Sequence, residues 1–175
     1  QKVVEESGST LLPKKLEKSL YKHAASIADK VAYVGAGTVE FIFDLDNQAA
    51  YFMEMNARLQ VEHPVTEAVT GVDIVAEQFR IAEGGHIEDL EVEAEGYAIE
   101  LRVNAETANK GVDGDIELIP NPGKVTQCEF PDAPHIDLIM AIRKGLAIPL
   151  YYDSMIAQII CKGKTRKDTI GKLIK

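Results

Sequence analysis

Two runs rich in branched and aromatic residues, TVEFIFD at 38–44 and AAYFMEMN at 49–56, are separated only by Leu45-Asp46-Asn47-Gln48. Strand-forming runs joined by so short a polar linker read as an antiparallel hairpin. If the turn centres on Asn47, Phe43 falls opposite Tyr51, Asp44 opposite Ala50, and Glu40 opposite Glu54 on the same face. Like charges at cross-strand distance repel unless something relieves them. A divalent cation held by two carboxylates, substrate phosphate oxygens and water would do so. A shift of register, or two acids pointing into bulk water, would remove the repulsion as well, and the pattern alone leaves both readings open.

Polar side chains continue at every second place past the hairpin, as Glu54, Asn56, Arg58, Gln60 and Glu62. An extended chain would send all five to one face. That face is either solvated or a site.

Elsewhere the apolar residues Leu16, Leu20, Ala24, Ile27, Ala28 and Val31 mark one face of a helix, with Pro13 near its start. A second helix is predicted over 73–83, ended by Gly84-Gly85. The acidic, weakly patterned IEDLEVEAE separates two units, 1–93 and 94–175. In the second, Tyr97, Ile99, Leu101 and Val103 alternate with Ala98, Glu100, Arg102 and Asn104, which predicts a strand with one buried and one polar face. NKGVDGD reads as a surface loop, PNPGKVTQCEF as a turn into a strand, and SMIAQIIC as a buried strand. Thr165 is placed as the N-cap of a closing helix with Asp168 three residues on. The fold class is α+β.

A chain of 175 residues, 46% hydrophobic and 27% charged, can bury a sizeable core. Its net charge of −9 argues against nucleic acid as the main partner, and no apolar run reaches membrane-spanning length. Cys128 and Cys161 stand far apart without metal-ligand spacing and read as reduced, packed thiols of a cytosol-like compartment. Starting at Gln1 and stopping inside a helical pattern, the chain is expected to be a piece of a longer protein, so a targeting peptide cannot be judged.

The segments GAGTVEFIF, YFMEMNARLQVEHPVTEAVTGVDIVAEQFRIA, IELRVNAE, NPGKVTQ and YYDSMIAQIICKG together resemble biotin carboxylase, the ATP-grasp component of biotin-dependent carboxylases. The run EMNARLQVEHPVTE carries most of the specificity. The resemblance implies the C-terminal part of an ATP-grasp domain over 1–93, then the biotin carboxylase C-terminal domain, truncated, over 94–175. It implies that Glu40 and Glu54 hold Mg²⁺ or Mn²⁺ on the ATP phosphates, with Asn56 beside the second metal. Arg58, Gln60 and the backbone N–H of Val61 would bind bicarbonate, Glu62 would act as general base, and Lys2 would lie near the bicarbonate. Arg102 would stabilise the enolate-like ureido oxygen of biotin, while His63 and Pro64 shape a turn. For Arg102, the residues alone favour an ion pair with Glu100 or a neighbouring acid on a solvated face.

The implied reaction runs from bicarbonate and ATP through carboxyphosphate to carboxylation of biotin on a carrier domain, with a carboxyltransferase as further partner. The implied location is the cytoplasm, or the mitochondrial matrix in a eukaryote. In the family the Gly-rich phosphate loop, the phosphate-binding lysines and the adenine pocket precede the position of Gln1, so the chain alone is expected to be inactive. The likeness fades at 107–118, and 135–150 diverges, with His135 where an arginine is common. A homodimer through that region is therefore a weaker implication than the site. The competing readings are another ATP-grasp ligase, such as a urea carboxylase or a carbamoyl-phosphate synthetase relative, and a catalytically silent scaffold.

Overall fold

Strand Val4–Glu6 (β1) pairs antiparallel with Tyr97–Asn104 (β4), bringing the first residues of the chain into the sheet formed by its second half. The computed structural model describes residues 2–90, 92–111 and 113–174. It divides into two units, Gln1–Glu6 with Gly96–Lys175, and Ser7–Glu95. A division at 93/94 therefore differs from the compact units chiefly at residues 1–6, of which Val4–Glu6 pair along β4 in the register Val4↔Leu101 and Glu6↔Ile99.

Ser7–Glu95 contains helix Lys14–Lys30 (α1), strands Thr38–Asp44 (β2) and Ala49–Asn56 (β3), helices His63–Thr70 (α2) and Ile74–Ala82 (α3), and a short 3₁₀ turn at Ile87–Asp89. α1 and α3 fall where apolar periodicity places them. Asp73 caps α3 by accepting from the Ala76 N–H at 2.8 Å. α2 was not expected. Pro64 in its first turn and Gly71 in the left-handed conformation at its end bound it, and Val65 and Val69, one turn apart, are buried.

The other unit is built on a sheet in the order β1-β4-β10-β8, where β8 is Ile136–Met140 and β10 is Met155–Gly163. Two small ribbons accompany it: Glu106–Lys110 (β5) with Ile116–Pro120 (β6), and Gly123–Lys124 (β7) with Ala147–Ile148 (β9). The predicted surface loop NKGVDGD is in part this first hairpin, and the strand expected in PNPGKVTQCEF is only the two-residue β7, Gly123–Lys124, with no strand over 125–130. Helix Arg166–Leu173 (α4) starts at Thr165, whose hydroxyl accepts from the Asp168 N–H at 3.2 Å, as predicted.

β4 departs from the half-solvated strand that its alternation suggests. It is central in the sheet, so Ala98, Ile99 and Glu100 are all buried, and Glu100, at 0% exposure, accepts a hydrogen bond from Gln158 of β10 at 3.0 Å. Polar alternation marks one face of a strand without saying whether water reaches it. Both cysteines are free thiols, and burial pushes the Cys161 thiol up in pKa. Among the described residues, no helix is long and apolar enough to cross a membrane.

An ionic clamp joins β1 to α4. Arg166 donates from Nε and Nη2 to the two oxygens of Glu6, at 2.7 and 2.8 Å, and the Tyr97 hydroxyl donates to the same carboxylate at 2.5 Å. The Arg166 hydrogen bonds are the main cause that holds Glu6 below the usual carboxylate range, whereas burial, then Glu6, pushes Tyr97 up to about 12. A depressed acid contributes stability above its unfolded pKa and loses it as pH falls through the folded one. The tyrosine's contribution is full below its unfolded value of about 10 and is lost as pH rises through about 12. Urea unfolding against pH is expected to show both limbs, and Arg166→Met should flatten the acid one.

Candidate active site

The hairpin β2–β3 brings Glu40 opposite Glu54, with Thr38 opposite Asn56 and Val39 opposite Met55. Beyond this point the expected register fails. Phe41 pairs with Phe52, Phe43 with Ala50 and Asp44 with Ala49, so Met53 is the extra residue of a β-bulge and the loop is Leu45–Gln48. Asp44 fixes that loop by accepting from the N–H groups of Asp46 and Asn47 and from the Asn47 side chain, which holds its carboxyl below the usual range. The bulge absorbs the one-residue difference between turn and strand ends, and the glutamate pairing is retained.

β3 ends at Asn56, so the polar alternation does not continue as a strand; residues 57–62 form a loop that leads into α2. The loop folds back on the glutamates. Asn56 Nδ2 donates to Glu40 Oε1 at 3.1 Å and to Glu54 Oε1 at 2.9 Å, and Gln60 Nε2 donates to the same Glu40 oxygen at 3.1 Å. Amide hydrogens thus take up part of the repulsion between the carboxylates. Gln60 is buried at 8% exposure although it lies outside regular structure. The Arg58 Nη1 donates to the Leu59 carbonyl at 3.1 Å, Val61 lies on the exposed part of the loop, and Glu62 is the N-cap residue of α2.

Of the residues singled out in the sequence, Glu40, Glu54, Asn56 and Gln60 are joined by hydrogen bonds, and Arg58, Val61 and Glu62 belong to the same loop. Lys2 and Arg102 belong to the other unit. Arg102 is not on a solvated face. It donates to Glu5 Oε1 at 2.9 Å and lies 3.7 Å from Glu100 Oε1, with its side chain 15% exposed. Glu5 was not foreseen as its partner, because β1 and β4 meet only through the sheet.

Oxygen-only donors of this kind suit a hard divalent cation. Among the described residues no three His, Cys, Asp or Glu side chains converge, so the protein offers a carboxylate pair rather than a full cage. That matches Mg²⁺, which keeps water and phosphate oxygens in its shell. The residues fit the ion that the resemblance implies.

Comparison with known proteins concerns the family. Residues 1–90 match the family described as carbamoyl-phosphate synthase L chain, ATP binding domain, and residues 100–175 match the biotin carboxylase C-terminal domain. "Biotin carboxylase 1" of Bacillus subtilis is 44% identical over 175 residues, covering 99% of this chain and 38% of that protein. "Urea amidolyase" of Saccharomyces cerevisiae is 41% identical over 99% of this chain and 9% of its own length. The solved biotin carboxylase domain dimer of Hydrogenobacter thermophilus 2-oxoglutarate carboxylase, in complex with MgADP, ADP and bicarbonate, superposes with a TM-score of 0.88 at 37% identity. It is matched over 99% of this chain and 37% of that chain. Fold and site define the class as the end of an ATP-grasp domain followed by a carboxylase C-terminal domain. The chain belongs to the biotin carboxylase family, and it spans 38% of the length of the Bacillus relative.

Proposed function

We propose that the chain is the C-terminal part of a biotin carboxylase that uses MgATP and bicarbonate to carboxylate biotin on a carrier domain, for transfer by a carboxyltransferase partner. The observation that carries this reading is the Glu40–Glu54 pair, bridged by Asn56 and backed by Gln60, at the head of the loop that bears Arg58 and Glu62. Glu40 and Glu54 would hold the divalent cations, Mg²⁺ or Mn²⁺, with Asn56 beside the second of them. Bound there, the cation would neutralise phosphate charge on ATP. Arg58 forks onto bicarbonate with Gln60, the Val61 N–H and Lys2 as further contacts, and Glu62 takes its proton. Arg102 stabilises the negative ureido oxygen of biotin, already oriented by Glu5.

Arg58→Lys in the full-length enzyme tests the bicarbonate assignment. A point charge cannot replace a planar fork, so biotin carboxylation should fall by at least about tenfold with the KM for ATP little changed. Unaltered turnover removes Arg58 from the bicarbonate site. The final acceptor is selected by the carboxyltransferase, which lies outside these residues. Likeness to urea amidolyase makes urea one acceptor to assay beside acyl-CoA and keto acids.

A further inference from the structure

His63, the first residue of α2, sits between two groups that matter for the loop. Its Nδ1 lies 2.9 Å from the Gln60 carbonyl, and its Nε2 lies 3.8 Å from Glu67 Oε2, one turn along the helix. A carbonyl oxygen can only accept, so Nδ1 carries a proton. The other oxygen of Glu67 accepts from the Ile74 N–H at 2.7 Å, at the first turn of α3. The imidazole is 21% and the Glu67 side chain 26% exposed. Gln60, whose backbone His63 holds, places its side chain on Glu40.

A continuous polar chain therefore runs from the start of α3 through Glu67, His63 and Gln60 to the carboxylate pair. We infer that His63, oriented by Glu67, is a positioning residue: it fixes the Gln60 carbonyl and so sets where the Gln60 amide and the Val61 N–H stand for bicarbonate. This rests on the bicarbonate role proposed above, although the contacts of His63 with the Gln60 carbonyl and with Glu67 do not. A purely turn-shaping histidine needs only its backbone and bulk. The positioning role needs a hydrogen on the near ring nitrogen, aimed at one carbonyl.

The test compares His63→Asn, whose amide nitrogen can occupy the place of Nδ1, with His63→Gln and His63→Ala in the full-length enzyme. Losing one such hydrogen bond should raise the KM for bicarbonate by about tenfold in the Gln and Ala variants, with the KM for ATP moving less than about twofold. His63→Asn should recover most of that loss. Long-range ¹⁵N–¹H spectra of the wild type should show His63 protonated at Nδ1, and the Gln60 side-chain amide resonances should shift in His63→Gln but not in His63→Asn. Asn and Gln variants that behave alike, or a ring protonated at Nε2 alone, would overturn the inference. If the wild type shows no bicarbonate-dependent carboxylation, the proposed function fails, and the Gln60 resonances still decide whether His63 positions the loop.

Discussion

Glu62→Gln is expected to abolish most biotin carboxylation, lowering kcat and kcat/KM together by about 10²–10⁴-fold, the usual worth of a positioned general base. The substitution keeps the shape of the side chain while replacing the proton-accepting carboxylate by a neutral amide that cannot act as a base. Glu62 stands at the N-cap of α2, and its side chain makes no cap hydrogen bond to that helix. Its position comes from the helix behind it, which is anchored by buried Pro64, Val65 and Val69. Folding and nucleotide binding should therefore survive while the chemical step is lost. Rapid-quench measurement of carboxybiotin formation, with urea unfolding as control, separates the two. A variant that turned over at the wild-type rate would assign the proton to another acceptor.

The sequence carried the hairpin, because composition and a four-residue linker leave a pair of strands little choice, and it carried the Glu40–Glu54 pairing. It did not carry the bulge at Met53. Alternation has the same look on either side of an extra residue, and only the ladder reveals it. Alternation also misled beyond Asn56. Arg58, Gln60 and Glu62 keep a strand's spacing while the backbone has already turned toward α2, whose own signals, Pro64, Gly71 and Val65 with Val69, were present but short. Glu100 shows the converse limit: its polar neighbours suggest a wet face, yet pairing with β1 and β10 on both sides buries it. Local pattern reports which side chains share a face. What covers that face depends on residues about a hundred positions away in one direction and sixty in the other, roughly the separations that only tertiary pairing can set.

Gly163→Ala should be the most damaging small substitution in the unit built on β4 and β10. A Cβ at Gly163 would lie 2.5 Å from Thr169 Oγ1, 2.8 Å from Asp168 Oδ2 and 2.8 Å from the Thr169 backbone nitrogen. None of these can yield easily. Thr169 is fully buried, with its hydroxyl 3.0 Å from the carbonyls of both Tyr97 and Thr165, and Asp168 Oδ2 accepts from the Lys164 N–H at 2.8 Å. Relief would require α4 to move off the sheet, giving up the Thr169 bond to β4 and straining the Arg166 clamp on Glu6. Overpacking with loss of a buried hydrogen bond is expected to cost on the order of 3 kcal/mol. Gly96→Ala should behave similarly, since its Cβ would meet the Gly163 carbonyl oxygen at 2.6 Å from a backbone at φ +82° that alanine disfavours. Gly171, inside α4 with nothing within 4 Å of its would-be Cβ, gives the control: Gly171→Ala should stabilise by about 0.5–1 kcal/mol through helix propensity alone. Urea midpoints of the three variants test the ordering, and a Gly163→Ala protein as stable as wild type would mean that α4 is free to shift on the sheet, so that the Thr169 and Glu6 contacts are not what fixes it there.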